Sequence, residues 1–194
     1  MIGPTLPVAG AFIAVLLIAV LGATRRWKAW RTFLACITVG YGAAVVSVTL
    51  FPIPVQSSIL PWERAFGLHN NFVPLVGLGE MLSSQPLEIS MRQIAGNTLM
   101  FVPLGLLVPL LKPDVRLGQV FVVAVLASTA IEAAQFSISL ILQFGYKITD
   151  VDDVLLNTLG ALIGYGVVRA DRALRGMSPR RPLPRADVVA ETSS

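Results

Sequence analysis

Long apolar runs separated by short polar or basic joints set the pattern of this chain. Five of them, residues 6–24, 32–51, 94–111, 117–142 and 151–168, reach or approach the helix length, about 17 to 25 residues, that crosses a hydrocarbon core about 30 Å thick. They predict an all-α fold: a polytopic transmembrane helical bundle of about five spans. Inside two of the runs the polar residues are themselves periodic. Ser128, Glu132, Gln135 and Ser139 recur at steps of four, three and four, and Asp150, Asp153, Asn157, Gly160 and Gly164 at steps of three and four. Each set therefore shares one face of its helix. A carboxylate at the bilayer centre costs roughly 2.5 to 3.5 kcal/mol even on the lenient insertion scale, so the two polar faces are expected to meet each other rather than lipid.

The joints divide the chain into two N-terminal spans (residues 1–51), a connecting segment (52–93), a three-span core (94–168) and a basic tail (169–194). The connecting segment opens on Pro52 and Pro54, which end a helix, and carries Trp62, Glu63, Arg64 and Phe66, an interfacial pattern. Its run from Asn71 to Leu82 is apolar but too short to span, which predicts an interfacial or re-entrant element. The tail is expected to add an amphipathic turn or two and to be disordered from about Ser178. The 26-residue fourth run exceeds the hydrocarbon thickness, so it must tilt, protrude or break near Ser137 to Ser139. No internal repeat is evident, which weighs against a transporter of duplicated halves.

Composition supports the membrane assignment: 55% of residues are hydrophobic and 13% charged, with a mean hydropathy of +0.74. Charge adds orientation. With the N terminus outside, twelve basic residues (Arg25, Arg26, Lys28, Arg31, Lys112, Arg116, Arg169, Arg172, Arg175, Arg180, Arg181, Arg185) fall on the cytoplasmic side and three (Arg64, Arg92, Lys147) on the outer side. The first run has no basic residue ahead of it and several directly behind, which favours a retained helix over a signal peptide and a cytoplasmic C terminus. The net charge of +4 thus reports topology and anionic lipid, with no nucleic-acid motif beside it. The single cysteine, Cys36, excludes an intrachain disulfide and reads as a buried filler; the lone His69, without a second His or Cys nearby, makes a poor metal site.

This topology places Arg92, Asn97, Glu132, Gln135, Asp150, Asp153 and Asn157 in the outer half of the membrane, a polar pocket open to the outer leaflet. Each has a structural explanation as well. Glu132 could pair with Gln135, Asn157 or Arg92 between helices; Arg92 could snorkel; Asn97 and Asn157 could be interhelical glue. Thr149 could cap the last helix, with Asp150, Asp152 and Asp153 complementing its dipole. Capping alone leaves the alignment of Asp150 and Asp153 with Asn157 unexplained, which favours binding for those two and leaves Asp152 in solvent. Gly160 and Gly164 form a small-xxx-small packing face.

The strings NNFVPL from Asn70, IAGNTLMFVPLG from Ile94, STAIEAAQ from Ser128 and DVDDVLLNTLGALIGYG from Asp150 resemble the signature blocks of the VanZ-like membrane proteins. The resemblance covers roughly residues 70–166. It picks out Asn71, Pro74, Arg92, Asn97, Pro103, Gly105, Glu132, Gln135, Asp150, Asp153, Asn157, Gly160 and Gly164; Lys147 stands where the family usually has Arg. Lys keeps the charge and loses the planar bidentate fork. The resemblance implies a multi-pass protein of the bacterial cell membrane, in a family named for low-level resistance to the glycopeptide teicoplanin. On this basis the expected ligand is a lipid, a lipid-linked cell-wall precursor or a lipoglycopeptide. Arg92 and Lys147 would meet its anionic groups and Asn97, Gln135 and Asn157 would order its polar part. The alternative is a membrane-embedded hydrolase or transferase acting on a lipid-linked cell-wall intermediate, with Glu132 or Asp153 as general base. No cofactor or metal is called for by either reading.

Overall fold

The computed structural model describes residues 2–53, 70–142, 147 and 149–177. Among these the chain is helical throughout: α1 (Thr5–Thr24), α2 (Ala29–Leu50), α3 (Val76–Ser84), α4 (Leu87–Leu111), α5 (Leu117–Leu142) and α6 (Val151–Met177). All except the nine-residue α3 are long and apolar enough to cross a membrane. Two isolated bridges, Ile2 with Ile53 and Asn71 with Asp150, are the β-type pairings among the described residues. Both lie at the end of the bundle where α2 and α5 finish and α4 and α6 begin.

α4 and α6 form the most extensive helix pair. Their axes approach closely because three glycines bring backbone onto backbone: a Cβ at Gly160 would collide with Thr98 O, at Gly164 with Val102 O, and at Gly105 with Ala161 O. α5 closes against α6, and Phe101, Val120, Ala124, Ala161 and Tyr165 fill the core between them. α2 leans on α4 and α5, with Tyr41 Oη donating to Met100 O at 2.9 Å, whereas α1 packs on α2 alone. Cys36 sits half-buried at that last seam, its Sγ 4.0 Å from Val15 O. The apolar side chains exposed on α1, α2 and the outer faces of α5 and α6 are those that hydrocarbon would cover.

Element ends depart from the hydropathy pattern where polar residues ride on helix. α4 begins at Leu87, seven residues before the apolar run, because Pro86 precedes its first turn, Glu88 complements the dipole and pairs with Arg92 one turn on, and Ser90 Oγ bonds Met81 O at 2.9 Å. α2 likewise starts at Ala29. α6 continues through Arg169, Arg172 and Arg175 to Met177, the amphipathic turns expected of the tail; residues 178–194, like His69 and the Trp62–Phe66 group, lie outside the described residues. α5 is unbroken, so a break at Ser137 to Ser139 is ruled out: Ser137 Oγ is satisfied by Ala133 O at 2.7 Å without disturbing the helix.

The far end of α4 is closed by a side chain from α6. Pro113 has no N–H to give to Pro109 O, four residues back, and Arg172 supplies the missing donor at 2.6 Å while its other nitrogen bonds Pro113 O at 2.9 Å.

Candidate ligand-binding site

The frame of the site is a pair of asparagines laid against the entry to α6. Asn71 N donates to Thr149 O at 2.9 Å, Val151 N donates to Asn71 O at 3.0 Å, and Thr149 N donates to Asn70 Oδ1 at 3.1 Å. Asn71 Nδ2 then reaches Asp150 Oδ1 at 2.8 Å while Asn71 Oδ1 accepts from Val73 N at 3.0 Å, so one side chain both turns its own loop and grips the next helix. Gly77 makes room for this contact; a Cβ there would strike Asp150 and Asn71.

Asp152 corrects the sequence reading. Instead of facing solvent it is 1% exposed, accepting from Leu75 N at 2.5 Å and from Leu78 N at 2.9 Å. These amides open α3, whose first N–H groups have no partner inside the helix, so a carboxylate from α6 serves as their cap and meets the positive dipole end. The left-handed conformation of Leu75, φ 69°, turns the chain so that both amides face Asp152. The cap of α6 itself is Asp150, whose Oδ1 accepts from Asp152 N at 2.8 Å; Thr149, expected in that role, has its buried Oγ1 unpartnered.

Behind this frame the two periodic polar faces meet as expected. Glu132 Oε2 accepts from Asp150 N at 3.1 Å, a backbone partner rather than Gln135, Asn157 or Arg92. Asn157 Nδ2 donates to Ser128 Oγ at 2.8 Å, which joins α6 to α5, and Asn97 Nδ2 donates to Asp153 Oδ1, which joins α4 to α6. Gln135 Nε2 donates to Thr49 O at 3.0 Å. Lys147 Nζ donates to the same carbonyl and to Val48 O at 3.2 Å. These two side chains thus supply donors to the open carbonyl end of α2, where a cation is favoured. Burial pushes the Lys147 ammonium below the usual lysine pKa, and the charge of Glu132 opposes the shift.

Glu132, Gln135, Lys147, Asp153, Asn97 and Asn157 line a single cavity of about 350 Å³. Asp150 lines a neighbouring one of about 220 Å³, beneath α3, with Asn71 and Glu80. Gln93 and Asp153 belong to both walls. Gln93 escaped the sequence reading because its residue lay in the stretch taken as a loop; extending the helix back from Asn97 by one turn would have placed it on the same face. Arg92, by contrast, is not part of either wall: its side chain is 81% exposed and pairs with Glu88 at 3.0 Å. No cluster of metal-ligating residues occurs among the described residues.

A third, largely apolar groove of about 380 Å³ runs between α2 and α4 along Tyr41, Ala44, Val45 and Val48. It shares Val48, Gln93, Asn97 and Met100 with the polar cavity. The site is thus a polar chamber with an apolar approach along the side of the bundle.

Comparison with known protein families matches the VanZ/LLP1 model over residues 38–172. No curated protein and no solved structure matches the chain. The matched segment is more than half of the sequence and contains every residue named in the three cavity walls. With five membrane-length helices and this match, the chain belongs to the VanZ/LLP1 family and is a VanZ-like membrane protein.

Proposed function

We propose that this protein binds an amphiphilic molecule of the cell envelope, its tail lying in the α2–α4 groove and its polar head in the chamber of Glu132, Asp153 and Asn157. The observation that carries this reading is the shared wall: Val48, Gln93, Asn97 and Met100 line both an apolar groove and a polar cavity. A ligand with one apolar and one polar part satisfies both, and an entry from the lipid side spares the head a crossing of the bundle.

The chamber end is the outer face in this proposal. Among the described residues that end carries Arg92 and Lys147, whereas the opposite end carries Arg25, Arg26, Lys28, Arg31, Lys112, Arg116, Arg169, Arg172 and Arg175. Such asymmetry favours the basic end in the cytoplasm of a bacterial cell. A lipid-linked cell-wall precursor or a lipoglycopeptide presents its head in that outer leaflet, which connects the chamber with the teicoplanin resistance for which the family is named.

The test compares teicoplanin and vancomycin susceptibility of a sensitive bacterial host expressing the wild type, Glu132→Ala or Asp153→Asn at matched membrane abundance. Selective protection against teicoplanin that either substitution abolishes is the expected result; equal protection by all three proteins, or by none, would remove the chamber from this phenotype. A second reading, a hydrolase or transferase, draws on two carboxylates lining one chamber. It requires that Glu132→Gln abolish turnover of a lipid-linked substrate while leaving its binding intact.

A further inference from the structure

Hydrogen-bond accounting in the chamber turns on its carboxylates and one buried amide oxygen. Asn97, Gln135, Lys147 and Asn157 line it, and the side-chain nitrogen of each donates to a protein oxygen: Asp153 Oδ1, Thr49 O, the Val48 and Thr49 carbonyls, and Ser128 Oγ respectively; each amide nitrogen carries a second N–H besides, and the amide of Gln93 lies in the same wall. For Asn97 and Gln135 the direction is fixed, because a carboxylate and a carbonyl oxygen only accept. The oxygens have spare capacity as well. Glu132 accepts through Oε2 and Asp153 through Oδ1, which leaves a second carboxylate oxygen on each. Asn157 is 2% exposed, and its Oδ1 is a buried acceptor with no partner. Buried polar atoms of folded proteins are nearly always paired, so this oxygen marks where a donor is wanted.

One cation faces the two carboxylates. Arg92 pairs with Glu88 outside the chamber, whereas Lys147 lines it, holds the end of α2 and is drawn electrostatically to Glu132, which leaves two carboxyl groups against one ammonium. A phosphate or carboxylate head would therefore set acceptor oxygens against the acceptor oxygens of Asp153, Glu132 and Asn157.

We infer that the head group this chamber takes is a hydrogen-bond donor bearing no negative charge where it meets Glu132, Asp153 and Asn157: a primary ammonium, or the hydroxyls of a sugar, carried on an apolar tail. The inference rests on the amphiphile reading above and reverses the anionic preference expected from the sequence. Its physical content is that lining acceptors select partners by N–H or O–H supply as well as by charge.

The experiment uses the full chain in phosphatidylcholine vesicles and photoreactive single-chain probes. All share one diazirine-bearing dodecyl tail, with primary ammonium, glucosyl, trimethylammonium or sulfate as head, and a headless hydrocarbon probe serves as reference. Labelled peptides are mapped by mass spectrometry. The ammonium or the glucosyl probe should label α2 and α4 at least tenfold more than the sulfate and trimethylammonium probes, and the stronger of the two identifies the source of the donor. Asp153→Asn and Glu132→Gln should each cut that labelling about tenfold while the headless probe still reaches the groove, which shows the fold intact. Sulfate labelling equal to ammonium and glucosyl labelling would overturn the inference on charge, and trimethylammonium labelling equal to ammonium would overturn it on donation; the amphiphile reading survives both. Failure of every probe, headless included, to label the groove would overturn the amphiphile reading itself.

Discussion

Asp152 and Asp153 are adjacent in sequence and opposite in employment. Asp152 receives the Leu75 and Leu78 amides and a longer contact from Asn71, whereas Asp153 faces the chamber with Asn97 beside it. Asp152→Ala strands two backbone donors, so it should cost about 3 to 5 kcal/mol and lower the melting temperature or the yield of folded protein in detergent. Asp153→Asn keeps shape and should leave the melting temperature within a few degrees while abolishing the protective phenotype. The sequence misjudged Asp152 for a definite reason: its partners lie 77 and 74 residues away, and they are main-chain groups, which no residue pattern announces. The polar faces of α5 and α6 were legible because periods of three and four survive any change in how the helices pack; the partners were less so, since only Ser128 and Asn157 pair across the two helices while Gln135 and Asp153 turn to α2 and α4.

Helices α4 and α6 are joined along their middle by absence of side chains and near the end of α4 by an arginine. Gly164→Leu must drive a branched side chain into the Val102 carbonyl, and the expected loss of about 3 kcal/mol would be read as early unfolding in a thermal scan of the purified protein. Arg172→Ala leaves Pro109 O without a donor, for a loss of about 1.5 to 3 kcal/mol on the same measurement. The small-xxx-small spacing was visible in the sequence. The Arg172 clamp was not, because a basic residue just beyond an apolar run is equally what topology alone demands. For the same reason the helical start of α4 was hidden: Glu88, Arg92 and Gln93 lower the local hydropathy without weakening the helix.

The whole molecule has a polar chamber at one end, a basic rim at the other and, between them, a belt of exposed apolar side chains. In a Cys36→Ser background, a membrane-impermeant thiol reagent applied to intact cells should label Glu80→Cys, beside the chamber, and should reach Asp114→Cys, in the turn after α4, only once the membrane is opened. The reverse pattern would invert the orientation proposed from charge. Five spans and their order could be read from hydropathy, but the groove between α2 and α4 could not, since it is made by two helices that touch sparingly and are separated in sequence by α3 and the segment before it.

Gln93 and Asp153 stand in both polar walls, so these two side chains lie where the two chambers adjoin. Shortening Gln93 should turn two rooms into one: Gln93→Ala would admit heads a sugar longer than the wild type accepts, and Gln93→Phe would shorten the list, as competition between mono- and disaccharide-headed amphiphiles can measure. On the proposed reading, the size of the head this protein takes would then be tuned by Gln93, independently of the depth chemistry that sets its kind.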